Sequence, residues 1–266
     1  MPDLVVVDAF ADRAFAGNPA AVCLLASPAG DAWMQAVAGE MNLAATAFAW
    51  RAAESFGIRW FSPTRELALC GHGTLASAHV LLEQGAVPAD AVIRFESPAG
   101  QLAASRRGDL IEMDFPAEPS APAEAPADLL RALGAIPVHV ERNRLDYVVE
   151  LASEAAVRAA RPDFSLLRGL PARALIITAR STTADGDFVS RFFAPSVGID
   201  EDPVTGSAHC CLGPYWERRL GRSDLVGVQV SSRGGVVRVR VDGPRVRLGG
   251  HAVTVLRGTL DADDCS

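Results

Sequence analysis

Residues Arg191 to Trp216 read RFFAPSVGIDEDPVTGSAHCCLGPYW, and this stretch decides the fold. An aromatic, strand-like piece ends at Pro195, the acidic pair Glu201 and Asp202 precedes Pro203, and the turn Thr205-Gly206-Ser207 opens a helix-like run. A weaker copy lies upstream at Arg59 to His79, RWFSPTRELALCGHGTLASAH. Arg59-Trp60-Phe61-Ser62-Pro63 answers Arg191-Phe192-Phe193-Ala194-Pro195 at a distance of 132 residues. Laying Cys70-Gly71-His72-Gly73-Thr74 on Pro203-Val204-Thr205-Gly206-Ser207 gives 133, the same register with one inserted residue. Two strand–turn–helix units in register predict two lobes built on one plan, against the alternative of two ordinary units that share a glycine.

With 266 residues and 49% hydrophobic content, the chain can bury one large core or two moderate ones. A formal net charge of −7 supplies no basic face, which argues against nucleic acid as a partner. VVVDAF near the start carries no basic region ahead of an apolar core, and no run approaches the roughly 18 apolar residues of a membrane span. Five irregularly spaced cysteines do not read as a disulfide framework. The expectation is a cytoplasmic protein with no membrane and no nucleic-acid partner.

Short strands alternate with few helices. Strands are expected at Leu4 to Val7, Ala20 to Leu25, Thr46 to Trp50 and Gly57 to Phe61, the last two antiparallel. Asp31 is expected to cap a helix over 32–40, and Thr74 or a neighbour to start one reaching Gln84. FPAEPSAPAEAP, residues 115–126, carries four prolines and no core-forming run, and reads as a linker. Beyond it come a helix over 128–133, strands, a helix over 154–160, the strand Ala174 to Thr178, and four late strands in which Arg alternates with Val. Too few helices alternate with the strands for a doubly wound parallel sheet, so the class is α+β.

The segments VVDAF, FAGNPAAVCLL, EMNLAATAF, ELALCGHGTLASAHVLL, RFFAPSVGIDEDPVTGSAHCCLGPYW and SSRGG occur in one order along essentially the whole chain. Together they resemble the phenazine biosynthesis PhzF-like family of the diaminopimelate epimerase-like superfamily. The resemblance implies a diaminopimelate epimerase-like α+β fold with two similar lobes, each a curved mixed sheet or barrel wrapped around a central helix. It places residues 1–118 in the first lobe, completed by a C-terminal strand at about 252–262, and 127–250 in the second, with the active site in the cleft between them. It implies no metal, no organic cofactor, a small carboxylated molecule as ligand, and a homodimer. By position, His72 matches the family's first-lobe histidine, Asp202 its second-lobe aspartate, and Gly206 and Ser207 the pair whose backbone holds substrate. The family's acid–base glutamate falls on Ala45 of MNLAAT, and an alanine carries no proton. Cys70 matches the first cysteine of the related epimerases, but the second falls on Pro203, which argues against a two-thiol racemase.

The residues carry their own chemistry beside this. Turns such as Thr205-Gly206-Ser207 and Gly73-Thr74 leave helix-start amides that suit a carboxylate or an enolate-like charge, although Thr74, Thr205 and Ser207 also suit plain capping. Like-charge repulsion from Glu201 would favour Asp202 as a general acid, the alternative being a solvated acidic turn. His72 between glycines suits proton transfer or substrate binding near neutral pH, or a structural hydrogen bond. Cys70 is a nucleophile or a small buried hydrophobe. His209, Cys210 and Cys211 lack zinc-ligand spacing. The leading expectation is a cofactor-independent isomerase acting by proton transfer or epimerisation. A lyase or cyclase using the same cleft, and a catalytically silent small-anion-binding protein, are the alternatives.

Overall fold

Alternating burial shapes the strands. In GVVRVRVD, Val237, Val239 and Val241 are buried while Arg238 and Arg240 face water, the period of two that one dry face imposes. The computed structural model describes residues 1–261, and the chain divides into two compact units, Met1–Asp114 with the segment from Gly249, and Phe115–Leu248.

The first lobe forms β1 (Asp3–Ala9), β2 (Asn18–Leu25), α1 (Asp31–Met41), β3 (Ala45–Ala52), β4 (Ser55–Phe61), β5 (Glu66–Leu67), α2 (Gly71–Glu83), β6 (Val92–Ser97), β7 (Gly100–Arg107) and β8 (Leu110–Pro116). The second forms β9 (Ala121–Pro122), α3 (Ala127–Leu133), β10 (His139–Arg142), β11 (Asp146–Glu150), α4 (Glu154–Ala159), α5 (Phe164–Arg168), β12 (Ala174–Arg180) and β13 (Phe188–Ala194). It continues through a 3-10 turn (Pro195–Val197), β14 (Ile199–Asp202), α6 (Gly206–Leu220), β15 (Asp224–Gln229), β16 (Gly235–Asp242) and β17 (Arg245–Gly250). The last strand, β18 (Ala252–Thr259), pairs antiparallel with β1 of the first lobe. Of the strand expected over 252–262, the final residue lies outside the described residues.

The pairing order is the same in both lobes. In the first, β1–β2 is antiparallel, β2–β3 parallel, β3–β4 antiparallel, β4–β6 parallel and β6–β7 antiparallel. In the second, β10–β11, β11–β12, β12–β13, β13–β15 and β15–β16 repeat that sequence of directions. The short β9, set within the proline-rich stretch expected to be only a linker, pairs with β10 as β18 pairs with β1. The two lobes therefore share one plan, as the repeated motif predicts. The register differs in detail. The central helices begin at Gly71 and Gly206, 135 residues apart, so Cys70 corresponds to Thr205. The 3-10 turn and β14 lengthen the second copy beyond the single inserted residue expected.

Both central helices are buried over most of their length, α2 from Gly73 to Leu81 apart from His79 and α6 from Ala208 to Trp216. One face of β1 and β2 (Val5, Val7, Ala20, Val22) packs on Ala76 and Val80 of α2. The other face (Leu4, Ala21, Cys23) packs with Met34, Val37 and Ala38 of α1. Burial on both faces explains why VVV and AAVCLL read as continuous apolar runs rather than alternating ones. In the second lobe Leu129, Leu133, Val157 and Leu167 of the outer helices cover β11, β12 and β13, while α6 packs on β15 and β16. Pro214 lies inside α6 and cannot donate to the carbonyl of Cys210; the Glu118 amide does so instead at 3.0 Å.

Two helix starts differ from expectation. Asp31 is the first residue of α1 rather than its cap, and its carboxylate accepts from Arg59 Nη1 at 2.6 Å. Asp31 is thereby held below the usual carboxylate range, chiefly by that hydrogen bond to Arg59. The helix expected to start near Thr74 starts at Gly71, with Cys70 as its cap.

Candidate active site

The start of α2 is built from CGHGT. Cys70 Sγ accepts from the Gly73 amide at 3.4 Å, and Cys70 O accepts from the Thr74 amide at 3.0 Å and from Thr74 Oγ1 at 2.7 Å. Gly73 and Thr74, expected to offer free amides, therefore spend them on the cap. The amides without an acceptor among the described residues are those of Gly71 and His72. Gly73 is a glycine for packing: a Cβ there would sit 2.8 Å from Trp60 Cδ1 and 3.0 Å from Cys70 Sγ. His72 is half-buried in the first turn of α2, with Nδ1 3.4 Å from Asn18 Nδ2 and 3.6 Å from Cys70 Sγ. Burial pushes its pKa down to about 4, so the ring is neutral at pH 7. With Asn18 donating to Nδ1, the ring proton belongs on Nε2. His72 is thus a neutral hydrogen-bonding group rather than one that titrates near neutrality.

The start of α6 is built from EDPVTGS. Asp202, at the end of β14, is 7% exposed, and its Oδ2 accepts a short hydrogen bond from the Thr205 hydroxyl. Glu201, expected to repel it, instead pairs at two points with Arg191, at 2.7 and 2.8 Å. Gln229, fully buried on β15, sets the polarity of the turn. Its Oε1 accepts from the Thr205 amide at 2.9 Å, so Nε2 must be the donor to Asp202 O at 2.7 Å and to Thr205 Oγ1 at 3.2 Å. A threonine oxygen that accepts from Gln229 turns its own proton toward Asp202.

The Gly206, Ser207 and Ala208 amides have no acceptor among the described residues. They stand at the positive end of a 15-residue helix, where amide donors and the helix dipole favour an anion. Neither Gly73 nor Gly206 occupies the left-handed region. Ser207 Oγ accepts from Arg173 Nη2 at 3.2 Å.

Ala45 begins β3 with no exposed surface, and the hydroxyl of its neighbour Thr46 is buried without a hydrogen-bond partner. Glu40 is exposed at the end of α1. Cys70 is 4% exposed and caps α2. Tyr215 and Trp216 pack inside the second lobe, while Arg218 and Arg219 pair with Glu141. Among the described residues, no three His, Cys, Asp or Glu side chains gather as a metal site, and no helix is long and apolar enough to cross a membrane. Gln229 and Arg173 were missed by the sequence reading, because each acts across 24 to 34 residues with no periodic signal.

His209 is fully buried beside Phe188, with Nδ1 donating to Thr205 O at 2.8 Å and Nε2 without a partner. Burial lowers its pKa from 6.5 to about 4. The unfolded chain therefore takes up this proton first as pH falls, and the stability His209 contributes above pH 6.5 is lost on the way to pH 4. The slope is about 1.4 kcal/mol per pH unit between those limits. Urea unfolding of the parent and of His209→Leu at pH 6.5 and pH 5 should show the parent losing about 2 kcal/mol more than the variant. Equal losses would place the proton uptake elsewhere.

A family model described as phenazine biosynthesis-like protein matches residues 7–258. An uncharacterised isomerase of Halalkalibacterium halodurans is 49% identical over 97% of both chains. The crystal structure of a PhzF family protein from Enterococcus faecalis superposes with a TM-score of 0.93 at 40% identity, covering 97% of this chain and 98% of that one. A probable proline racemase from Agrobacterium radiobacter K84, solved with bound carbonate, shares the fold at TM-score 0.64 and 13% identity, over 99% of this chain and 94% of the other. With its central helices, its duplicated sheet order and this match over nearly its full length, the chain belongs to the phenazine biosynthesis-like (PhzF) protein family.

Proposed function

We propose that the chain is an isomerase that moves a proton on a small carboxylated metabolite. The Gly206, Ser207 and Ala208 amides hold the carboxylate, Asp202 moves the proton, and neutral His72 supports the shifting charge as a donor through Nε2. The carrying observation is that a buried carboxylate and three unpaired helix-start amides share one turn of chain, Asp202 to Ala208. The isomerase names of the relatives support the reaction class, and the carbonate held by the racemase of like fold supports an anionic ligand. The Gly71 and His72 amides offer a further pair of donors in the first lobe. With Ala45 in the glutamate's place, proton handling falls to Asp202 with His72, which implies a substrate unlike the one the glutamate serves.

A screen of small amino and hydroxy acids with the purified protein in deuterated water, read by mass spectrometry, tests this. A substrate should gain deuterium at carbon, and failure of every compound that binds to exchange would sink the isomerase reading. Ala45 also favours a second reading, because a fully buried methyl group stands where the family has its proton carrier. That reading is an anion-binding protein without turnover, and thermal stabilisation by carboxylates with no exchange is its signature.

A further inference from the structure

Arg173 lies just before β12 in a stretch that carries no motif. Its guanidinium is gripped at two points by the fully buried Asp146, with Nε donating to Oδ1 at 2.8 Å and Nη2 to Oδ2. The Phe192 ring lies beneath, its centroid 5.4 Å from Cζ, and the Arg173 amide donates to Leu145 O at 2.8 Å. The Asp146 charge is neutralised by this grip, so it does not repel a second anion as a bare carboxylate would. Held in that fork, Arg173 Nη2 also donates to Ser207 Oγ at 3.2 Å, while Nη1 has no acceptor among the described residues.

We infer that Arg173 is a positioning residue that turns Ser207 into a hydrogen-bond donor and thereby selects a carboxylate over a neutral group at the start of α6. A serine hydroxyl can donate or accept, and that ambiguity lets a site take a neutral amide as readily as an anion. Here the oxygen already accepts from Arg173, which leaves its proton to point outward beside the Gly206, Ser207 and Ala208 amides. The three amides and the Ser207 hydroxyl are all donors, and Arg173 keeps Nη1 without an acceptor among the described residues. A carboxylate satisfies such a set; the NH₂ of an amide opposes it. The inference rests on the carboxylate reading given above.

Titration of ¹⁵N-labelled protein with formate, benzoate and benzamide, following the Gly206, Ser207 and Ala208 amide resonances, tests both separately. The parent should respond to formate and benzoate but hardly to benzamide. Arg173→Met should weaken benzoate by about tenfold, the worth of one charge-assisted hydrogen bond, and narrow the benzoate-to-benzamide ratio. Ser207→Ala should do the same, and adding Arg173→Met to it should cost little more, because the arginine acts through that hydroxyl. Arg173→Lys should recover only part of the affinity, since lysine cannot hold Asp146 and Ser207 in one rigid fork. Where Arg173→Met unfolds because Asp146 is left buried and unpaired, the pair Asp146→Asn with Arg173→Met carries the same comparison. Additive losses, or an unchanged benzoate affinity in a folded Arg173 variant, would overturn the positioning role while leaving the carboxylate reading intact. A parent whose α6 amides respond to neither anion would overturn both.

Discussion

Asparagine in place of Asp202 is expected to lower the rate of isotope exchange by about 10²–10⁴-fold, the usual worth of a positioned general acid or base. Ligand affinity should stay within about tenfold, because the group removed acts mainly in the transition state. The substitution is clean for a structural reason. Thr205 donates its hydroxyl proton to Oδ2, and Gln229 holds the backbone oxygen of the same residue, so an asparagine that turns its oxygen toward Thr205 keeps both of these hydrogen bonds. What it loses is the ability to carry a proton. The neighbouring Glu201 offers no substitute, since both its oxygens are engaged by Arg191. The measurement is deuterium uptake into whichever carboxylate the screen identifies, with affinity read by the amide resonances at the start of α6. An asparagine variant that exchanges at the parent's rate would remove Asp202 from the chemistry and move the burden to His72 or Cys70.

The parts of this picture that sequence made legible are those in which one residue type has one use. RWFSP and RFFAP mark twin strands because aromatic strands ending at proline are uncommon, and glycine-bearing turns after them mark where the twin helices begin. Burial of β1 and β2 on both faces is likewise written in their unbroken apolar runs. Helix starts were harder to place. Cysteine is not a favoured cap, so nothing in CGHGT announced that Cys70 would take the Gly73 amide and shift the unpaired donors back to Gly71 and His72. Arg173, Asp146 and Gln229 were illegible for another reason. A buried polar group is identified by its partners, and these partners are brought together by strand pairing rather than by spacing along the chain. The charge of Glu201 was misread on the same account, since its partner Arg191 lies one strand away on β13.

Alanine at Gly17 is expected to destabilise the protein by about 2–5 kcal/mol, summing a left-handed backbone angle with an overpacked contact. Gly17 closes the loop between β1 and β2 at a φ of +65°, and a Cβ there would lie 2.2 Å from the backbone oxygen of Ala9 and 2.8 Å from the Ala11 Cβ. The loop has little freedom to yield. Phe10 and Phe15 already sit at positive φ, 59° and 67°, and the Phe15 amide is tied to the buried Asp8 carboxylate at 2.6 Å. Gly134 supplies the control: it has a similar φ of +62° at the end of α3, but a Cβ there meets nothing within 4 Å. Gly134→Ala should therefore cost only the angle, about 1–2 kcal/mol. Urea unfolding of the two variants isolates the close approach as the difference between them. The effect should also reach the chemistry, because Asn18 follows Gly17 directly and its side-chain amide lies 3.4 Å from His72 Nδ1. If the Ala9 carbonyl is what forbids a side chain at Gly17, the His72 ring resonances should shift in folded Gly17→Ala and stay in place in Gly134→Ala. Equal costs for the two substitutions would mean that the loop relaxes away from Ala9, and that Gly17 is needed for its angle alone.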